Sequence, residues 1–180
     1  MLAALVVAGF GLTSCGDDDN DDLNNGLNAI AESYVGTYSA KDSIKVGMGR
    51  VSWDYATDGN VSYRITKNSD GSINVIIPEE TYSNTQIGDI KIGSYTIDSL
   101  KYNVLTGFTR AYKGSAAKVH FESTGGTQYP ITLNGDYAFE SDACVISVKK
   151  DLAGALQVKN IYVLGKSPVL ITNSFAGRKQ

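Results

Sequence analysis

From Tyr34 onward, apolar and polar residues alternate at a spacing of two, and clusters of Gly, Asn, Asp and Ser separate the runs. That period places apolar side chains on one face of a strand, toward a core. In Val61-Ser62-Tyr63-Arg64-Ile65-Thr66-Lys67, Val61, Tyr63 and Ile65 alternate with polar residues, and Ile73, Val75 and Ile77 repeat the pattern. Between them, Asn68-Ser69-Asp70-Gly71 predicts a hairpin turn, its Gly taking the left-handed conformation. Pro78 ends the second strand, because it cannot donate to a ladder. Further strands are expected at 87–92, 95–97 and 100–105. Residues 118–122 are expected to pair with 128–133 across Thr124-Gly125-Gly126-Thr127. Asn134-Gly135 reads as a two-residue turn returning through 136–139. Strands at 143–149, 155–164 and 169–175 follow, with a helical turn at 152–156. About nine or ten short antiparallel strands make an all-β chain. Closing such a meander into an up-and-down barrel removes its exposed edges; a β-sandwich is the alternative, and periodicity does not separate the two.

The N-terminal pattern differs. Residues 1–12 are apolar and uncharged, too short a run to span a bilayer, and small residues follow. Leu12-Thr13-Ser14-Cys15 resembles the lipobox of bacterial lipoproteins. The resemblance implies a signal peptide over 1–14 and acyl chains on Cys15, which becomes the first mature residue. Several chains hold a protein on a membrane where one does so only marginally. Asp17, Asp18 and Asp19, with Asp21 and Asp22, resemble the acidic export signal of Bacteroidota surface lipoproteins. The rival reading, a calcium loop, lacks the alternating ligands, central Gly and closing Glu. The domain plan is therefore a signal peptide (1–14), a lipidated acidic tether (15–32) and one folded domain (33–180). Within the tether, 21–27 reads as a flexible spacer and 29–33 as a short helical turn. The implied location is the outer membrane, lipid-anchored and facing the cell surface.

Charge adds little. The 180 residues carry −3. Setting aside the five tether aspartates leaves sixteen basic against fourteen acidic side chains, or +2, with no basic block of the kind nucleic acid requires. With Cys15 acylated, Cys144 has no partner within the chain and reads as a small buried apolar residue.

Candidate chemistry is sparse. His120, the only histidine, alternates with Val119 and Phe121 and so points to the other face, as a surface side chain. One histidine and no cysteine cluster predict no transition-metal site. A hydrolase would need His120 in a cleft with a serine or carboxylate, and no Gly-x-Ser-x-Gly elbow is present. Glu79 and Glu80 are adjacent in an extended segment and point apart, unlike glycosidase carboxylates. Gly47-Met48-Gly49 lacks the lysine of a phosphate loop. Tyr34, Tyr38, Tyr63, Tyr95, Tyr129 and Tyr162 are expected in the core or barrel wall. Tyr55, Tyr82, Tyr102 and Tyr112 lie nearer turns, where rings can stack on sugars or partners. Asp42-Ser43-Ile44 and Asp98-Ser99-Leu100 resemble short O-glycosylation sites of secreted Bacteroidota proteins.

Four stretches in order carry a wider resemblance: Tyr34-Val35-Gly36-Thr37-Tyr38, Asn68-Ser69-Asp70-Gly71-Ser72-Ile73, Ile87-Gly88-Asp89-Ile90 and Asn173-Ser174-Phe175-Ala176-Gly177. Together they resemble the calycin-like β-barrel domain of Bacteroidota lipoproteins. That family implies a barrel shaped like lipocalins and no general activity. Gly36-Thr37-Tyr38 stands where lipocalins carry Gly-x-Trp, and Trp53 lies farther on, so no lipocalin binding site carries over. The expectation is a non-enzymatic envelope binding protein without catalytic residues, cofactor or metal. Its candidate ligands are a small apolar molecule inside the barrel, or a glycan or protein at the loops. An accessory subunit of a surface uptake complex is the alternative, and an unrecognised hydrolase the third reading.

Overall fold

The structure, a computed structural model, describes residues 19–163 and 169–180. Helix α1 (Asp19–Tyr34) leads into β1 (Gly36–Ala40), β2 (Asp42–Met48), β3 (Val51–Ala56), β4 (Val61–Lys67) and β5 (Ile73–Ile77). Next come β6 (Glu80–Thr85), β7 (Gly88–Ile92), β8 (Tyr95–Asn103), β9 (Gly107–Ala111) and β10 (Lys118–Ser123). The chain closes with β11 (Gly135–Ala138), β12 (Val145–Lys150), β13 (Leu156–Val163) and β14 (Val169–Lys179).

Eight strands form an antiparallel barrel in the order β1-β4-β5-β8-β9-β12-β13-β14, and β14 pairs back onto β1. That closure decides for the barrel over the sandwich. The path is up and down, with three hairpin excursions: β2–β3, β6–β7 and β10–β11. The last two join through β7 and β10 into a separate four-stranded sheet. β14 runs against β1 and β2 in one register, with Tyr38 opposite Lys179 and Asp42 opposite Phe175. β1 and β2 thus act as one stave, kinked at Lys41. Along its other edge, Ala40 pairs with Val61 and Ser43 with Ala56, so Lys41 and Asp42 face the four residues 57–60. Such a bulge bends a strand and re-aims its side chains. Thr57 holds the kink: its Oγ1 accepts the Asp42 N–H at 3.0 Å, and its own N–H donates to the Asp42 carbonyl at 2.8 Å.

Both barrel ends are covered. At one, α1 lies near the turns between β4 and β5 and between β12 and β13. Ala31 is fully buried, the Tyr34 ring meets Phe108 edge-on at 5.1 Å, and Lys150 donates to the Ser33 carbonyl. At the other, the four-stranded sheet packs inward, with Phe121 against Tyr162 and Phe139 against Tyr95 at 6.1 Å. Between them the lumen is filled by Tyr38, Tyr63, Tyr162, Phe108 and Phe175, all fully buried. A barrel of this size is just wide enough to be filled by its own side chains.

Several expectations need correction. α1 occupies the stretch read as flexible spacer, because Leu27, Ala31 and Tyr34 recur at helical spacing and find cover on the barrel. Residues 128–133 are not a strand, and Asn134-Gly135 is not a hairpin turn. Pro130 interrupts the run, the Ile131 N–H turns back to the Tyr129 carbonyl, and Gly135 opens β11 opposite Phe121. Residues 95–97 and 100–103 form one strand, β8, which absorbs an irregularity at Ser99 (φ +55°), and Val104-Leu105 is its turn. β14 runs four residues beyond the expected 175, because its end closes the barrel on β1. Tyr82 and Tyr112, expected near turns, are fully buried.

Candidate functional site

The inward positions of the barrel are apolar with four exceptions: Asp42, Glu80, Asn160 and Asn173, each at most 1% exposed. They meet in the lumen. Asp42 is aimed inward by the bulge in β1–β2. Glu80 follows Pro78, where the chain leaves β5 and crosses the barrel mouth. Asn160 and Asn173 are directly opposed on β13 and β14.

Tyr63 from β4 is the hub. Its hydroxyl oxygen lies 2.6 Å from Asp42 Oδ2, 2.8 Å from Glu80 Oε1 and 3.3 Å from Asn173 Oδ1. Three acceptor oxygens thus surround one hydroxyl proton, so the cluster is completed by a further proton on a carboxyl group. Tyr82 donates to Glu80 Oε2 at 2.9 Å, and Asn173 Nδ2 donates to Asp42 Oδ2 at 2.5 Å. No lysine, arginine or histidine pairs with either carboxyl group among the described residues. Burial, followed by the facing Asp42 carboxylate, raises the Glu80 carboxyl well above the usual range. Phe175 stacks on Tyr63 at 4.1 Å and fixes the hub. A second chain runs from Tyr112 to Asn160 Oδ1 at 2.6 Å and from Asn160 Nδ2 to the Tyr95 hydroxyl at 2.8 Å. The Tyr162 hydroxyl is buried beside these groups, its ring edge-on to Tyr95 at 6.1 Å. The arrangement is a buried, hydrogen-bonded lock between β2, β4, β6 and β14. Its four polar side chains are each at most 1% exposed.

Sequence reasoning missed this cluster, and a signal existed. Asp42 continues the inward alternation toward Ile44 and Val46, Asn160 interrupts Leu156, Val158 and Tyr162, and Asn173 interrupts Ile171 and Phe175. A polar residue at an inward position of a strand is the informative one. Glu79 and Glu80 do point apart: Glu79 pairs with Lys91 at 3.1 Å outside, while Glu80 finds its carboxyl partner 38 positions earlier in the chain.

His120 stands on the outer face of β10, flanked by two carboxylates. Its Nδ1 is 2.7 Å from Asp136 and its Nε2 is 3.2 Å from Glu122. The Asp136 hydrogen bond is the main cause that raises its pKa. An open hollow of about 610 Å³ adjoins it, lined also by Thr124, Thr132 and Asn134. The carboxylates that a hydrolase would require are present, but they engage both ring nitrogens and leave none to activate a hydroxyl. Ser123 points to the opposite face, where its hydroxyl is held between Leu133 N–H and the Ile131 carbonyl. Trp53 meets Tyr129 at a tilt, ring centroids 5.3 Å apart, between β3 and the 124–134 loop. Cys144 is a fully buried free thiol. In the two glycosylation-like stretches, Asp42 points into the barrel, and Asp98 pairs with Arg110. Cys15, Asp17 and Asp18 lie outside the described residues. Asp19 begins α1.

Shallow depressions cross the outer wall. Three of about 390, 380 and 270 Å³ lie side by side over β12, β13, β14, β2 and β3. Small side chains (Ser43, Ser147, Ser174, Thr172) pave them, and Lys45, Lys149 and Lys159 border them. Lys45 faces Asp54 at 3.5 Å, whereas Lys149 and Lys159 carry no ion pair among the described residues.

No curated protein and no solved structure matches the chain. The family model described as the calycin-like β-barrel domain matches residues 35–163, which takes in β1 through β13 of the closed barrel. The chain therefore belongs to the calycin-like β-barrel domain family.

Proposed function

We propose that the protein is a lipid-anchored binding protein of the cell envelope that meets its ligand on the outer wall of the barrel. The observation that carries this reading is the packing of the lumen: both ends are covered, and aromatic rings with the Asp42–Glu80 cluster take up the axis. The wall over β13, β14 and β2 offers hydroxyls and lysine ammonium groups in a shallow, elongated surface. That chemistry suits an extended, hydroxyl-rich and anionic chain, and a glycan is the class that fits. The lipobox-like Leu12-Thr13-Ser14-Cys15 supports the anchor, with Cys15 as the acylated residue. Asp17, Asp18 and Asp19 fit export to the outer face of the outer membrane. The breadth of the wall also favours a second reading, an accessory subunit of a surface uptake complex.

Two experiments separate these elements. Palmitate labelling in cells reports the anchor: incorporation is expected and is lost in Cys15→Ala. Binding of the full chain to neutral and anionic polysaccharides, against a Lys45→Ala/Lys149→Ala/Lys159→Ala variant, reports the wall. Salt-sensitive binding to the anionic chains that the variant loses supports the glycan reading. Equal binding by the variant, or a stable protein partner with no glycan binding, overturns it.

A further inference from the structure

Three large aliphatic side chains are almost entirely in solvent: Val104 at 81%, Leu105 at 89% and Leu152 at 110% exposure. Scattered exposed aliphatics need no explanation, but these share one place. Val104 and Leu105 form the tip of the β8–β9 turn, and Leu152 the tip of the β12–β13 turn. β9 and β12 are paired neighbours, with Phe108 opposite Val148, so both tips leave the barrel at the same end. Two strand spacings put the hairpins about 10 Å apart.

The turns hold these residues outward. Asn103 folds back, its Oδ1 accepting the Leu105 N–H at 2.9 Å. Asp151 does the same, its Oδ1 accepting the Ala153 and Ala155 N–H groups at 2.9 Å. Polar side chains thus brace the turns from beneath and leave aliphatic ones at the apex.

Charge at this end favours one kind of partner. Exposed Lys101, Arg178 and Lys179 lie on the strand ends behind the tips and carry no ion pair among the described residues. Among the acids at this end whose side chains are described, Glu32 pairs with Lys67 at 2.8 Å, Asp70 with Ser72, and Asp151 within its turn. Aliphatic apices backed by free cations match the apolar boundary and phosphate layer of a lipid bilayer. This is also the end on which α1 packs, through Leu27 at Gly71 and Tyr34 at Phe108. Cys15 precedes α1 by only four positions. A lipid there keeps this end close to the membrane.

We propose that the β8–β9 and β12–β13 tips seat in the lipid bilayer surface, with Val104, Leu105 and Leu152 entering its apolar boundary and the cations at its phosphates. The inference rests on the lipid-anchor reading. It adds an orientation: the barrel stands with its helix end on the membrane, and the outer wall and the four-stranded sheet stay clear of it.

The test uses full-length chain in vesicles of phosphatidylethanolamine and phosphatidylglycerol. Single cysteines at Leu105→Cys, Leu152→Cys and, in the distant β2–β3 turn, Arg50→Cys carry an environment-sensitive fluorophore. Cys144 is buried, and an acylated Cys15 takes no label, so the unsubstituted chain is the blank. Flotation with the vesicles reads the anchor, and the probe reads the tips. The expected result is a blue shift and quenching by nitroxide lipids at 105 and 152, with neither at 50. A chain that floats while its probes at 105 and 152 remain aqueous overturns the tip insertion and leaves the anchor standing. A chain that does not float overturns both. Leu105→Asp/Leu152→Asp, at exposed positions that leave the fold intact, is expected to float still and to lose the contact of a probe at Val104→Cys. Contact retained in that variant also overturns the proposal.

Discussion

A carboxyl group buried without a cation is costly, and the lumen satisfies Asp42 and Glu80 with phenols, an amide and a shared proton instead. The sign of the pH effect follows. Burial and Asp42 raise Glu80 above its ordinary 4.5, so the folded state binds a proton that the unfolded state releases. The contribution of this group to stability is therefore fully present below about 4.5 and is lost as pH rises toward the folded value. Chemical denaturation between pH 5 and 8 is expected to show this decline in the native chain and a flatter profile in Glu80→Gln. Tyr63→Phe removes the hub hydroxyl and is expected to cost about 2–3 kcal/mol, because the carboxyl groups lose a donor to a charged acceptor. His120 adds a small decline of the same sign, since its pKa is also raised. NMR titration of this sole histidine is expected to find its pKa above 6.5, and Asp136→Asn is expected to bring it down.

Among the elements, α1 shows where local reading stops. Its Asn, Asp and Gly content argues for a spacer, and helix propensity alone does not hold such a stretch. Packing does: Ala31 is fully buried, and Gly71 (φ +75°) approaches so closely that a Cβ there would lie 2.9 Å from Leu27 Cβ. Ala31→Asp places a charge in that contact. It is expected to release α1, seen as loss of amide-exchange protection over 24–34 while the barrel strands keep theirs. The surface pair Glu32–Lys67 contributes under about 1 kcal/mol, so Lys67→Met is expected to leave α1 docked. The same limit explains 128–133, where alternation suggests a strand and Pro130 with its γ-type turn overrules it. The β4–β5 hairpin, by contrast, is legible because turn chemistry, alternation and Pro78 agree.

At the scale of the whole molecule, the barrel was readable from its alternating runs and their short connections, and its closure was not. Closure depends on β14 meeting β1 across 141 positions of sequence, from Tyr38 to Lys179. The candidate site was hidden for the same reason. Asp42, Tyr63, Glu80 and Asn173 become neighbours only once the barrel shuts. What alternation does reveal, taken residue by residue, is which polar side chains break the inward face. The central claim is that this lumen is full and that recognition happens outside it. Native mass spectrometry of the full-length protein, purified in mild detergent from the cells that make it, tests that claim most directly. The account predicts a mass of the chain with its covalent acyl groups and nothing apolar in stoichiometric amount. One tightly held apolar molecule per chain, released only on unfolding, would contradict it.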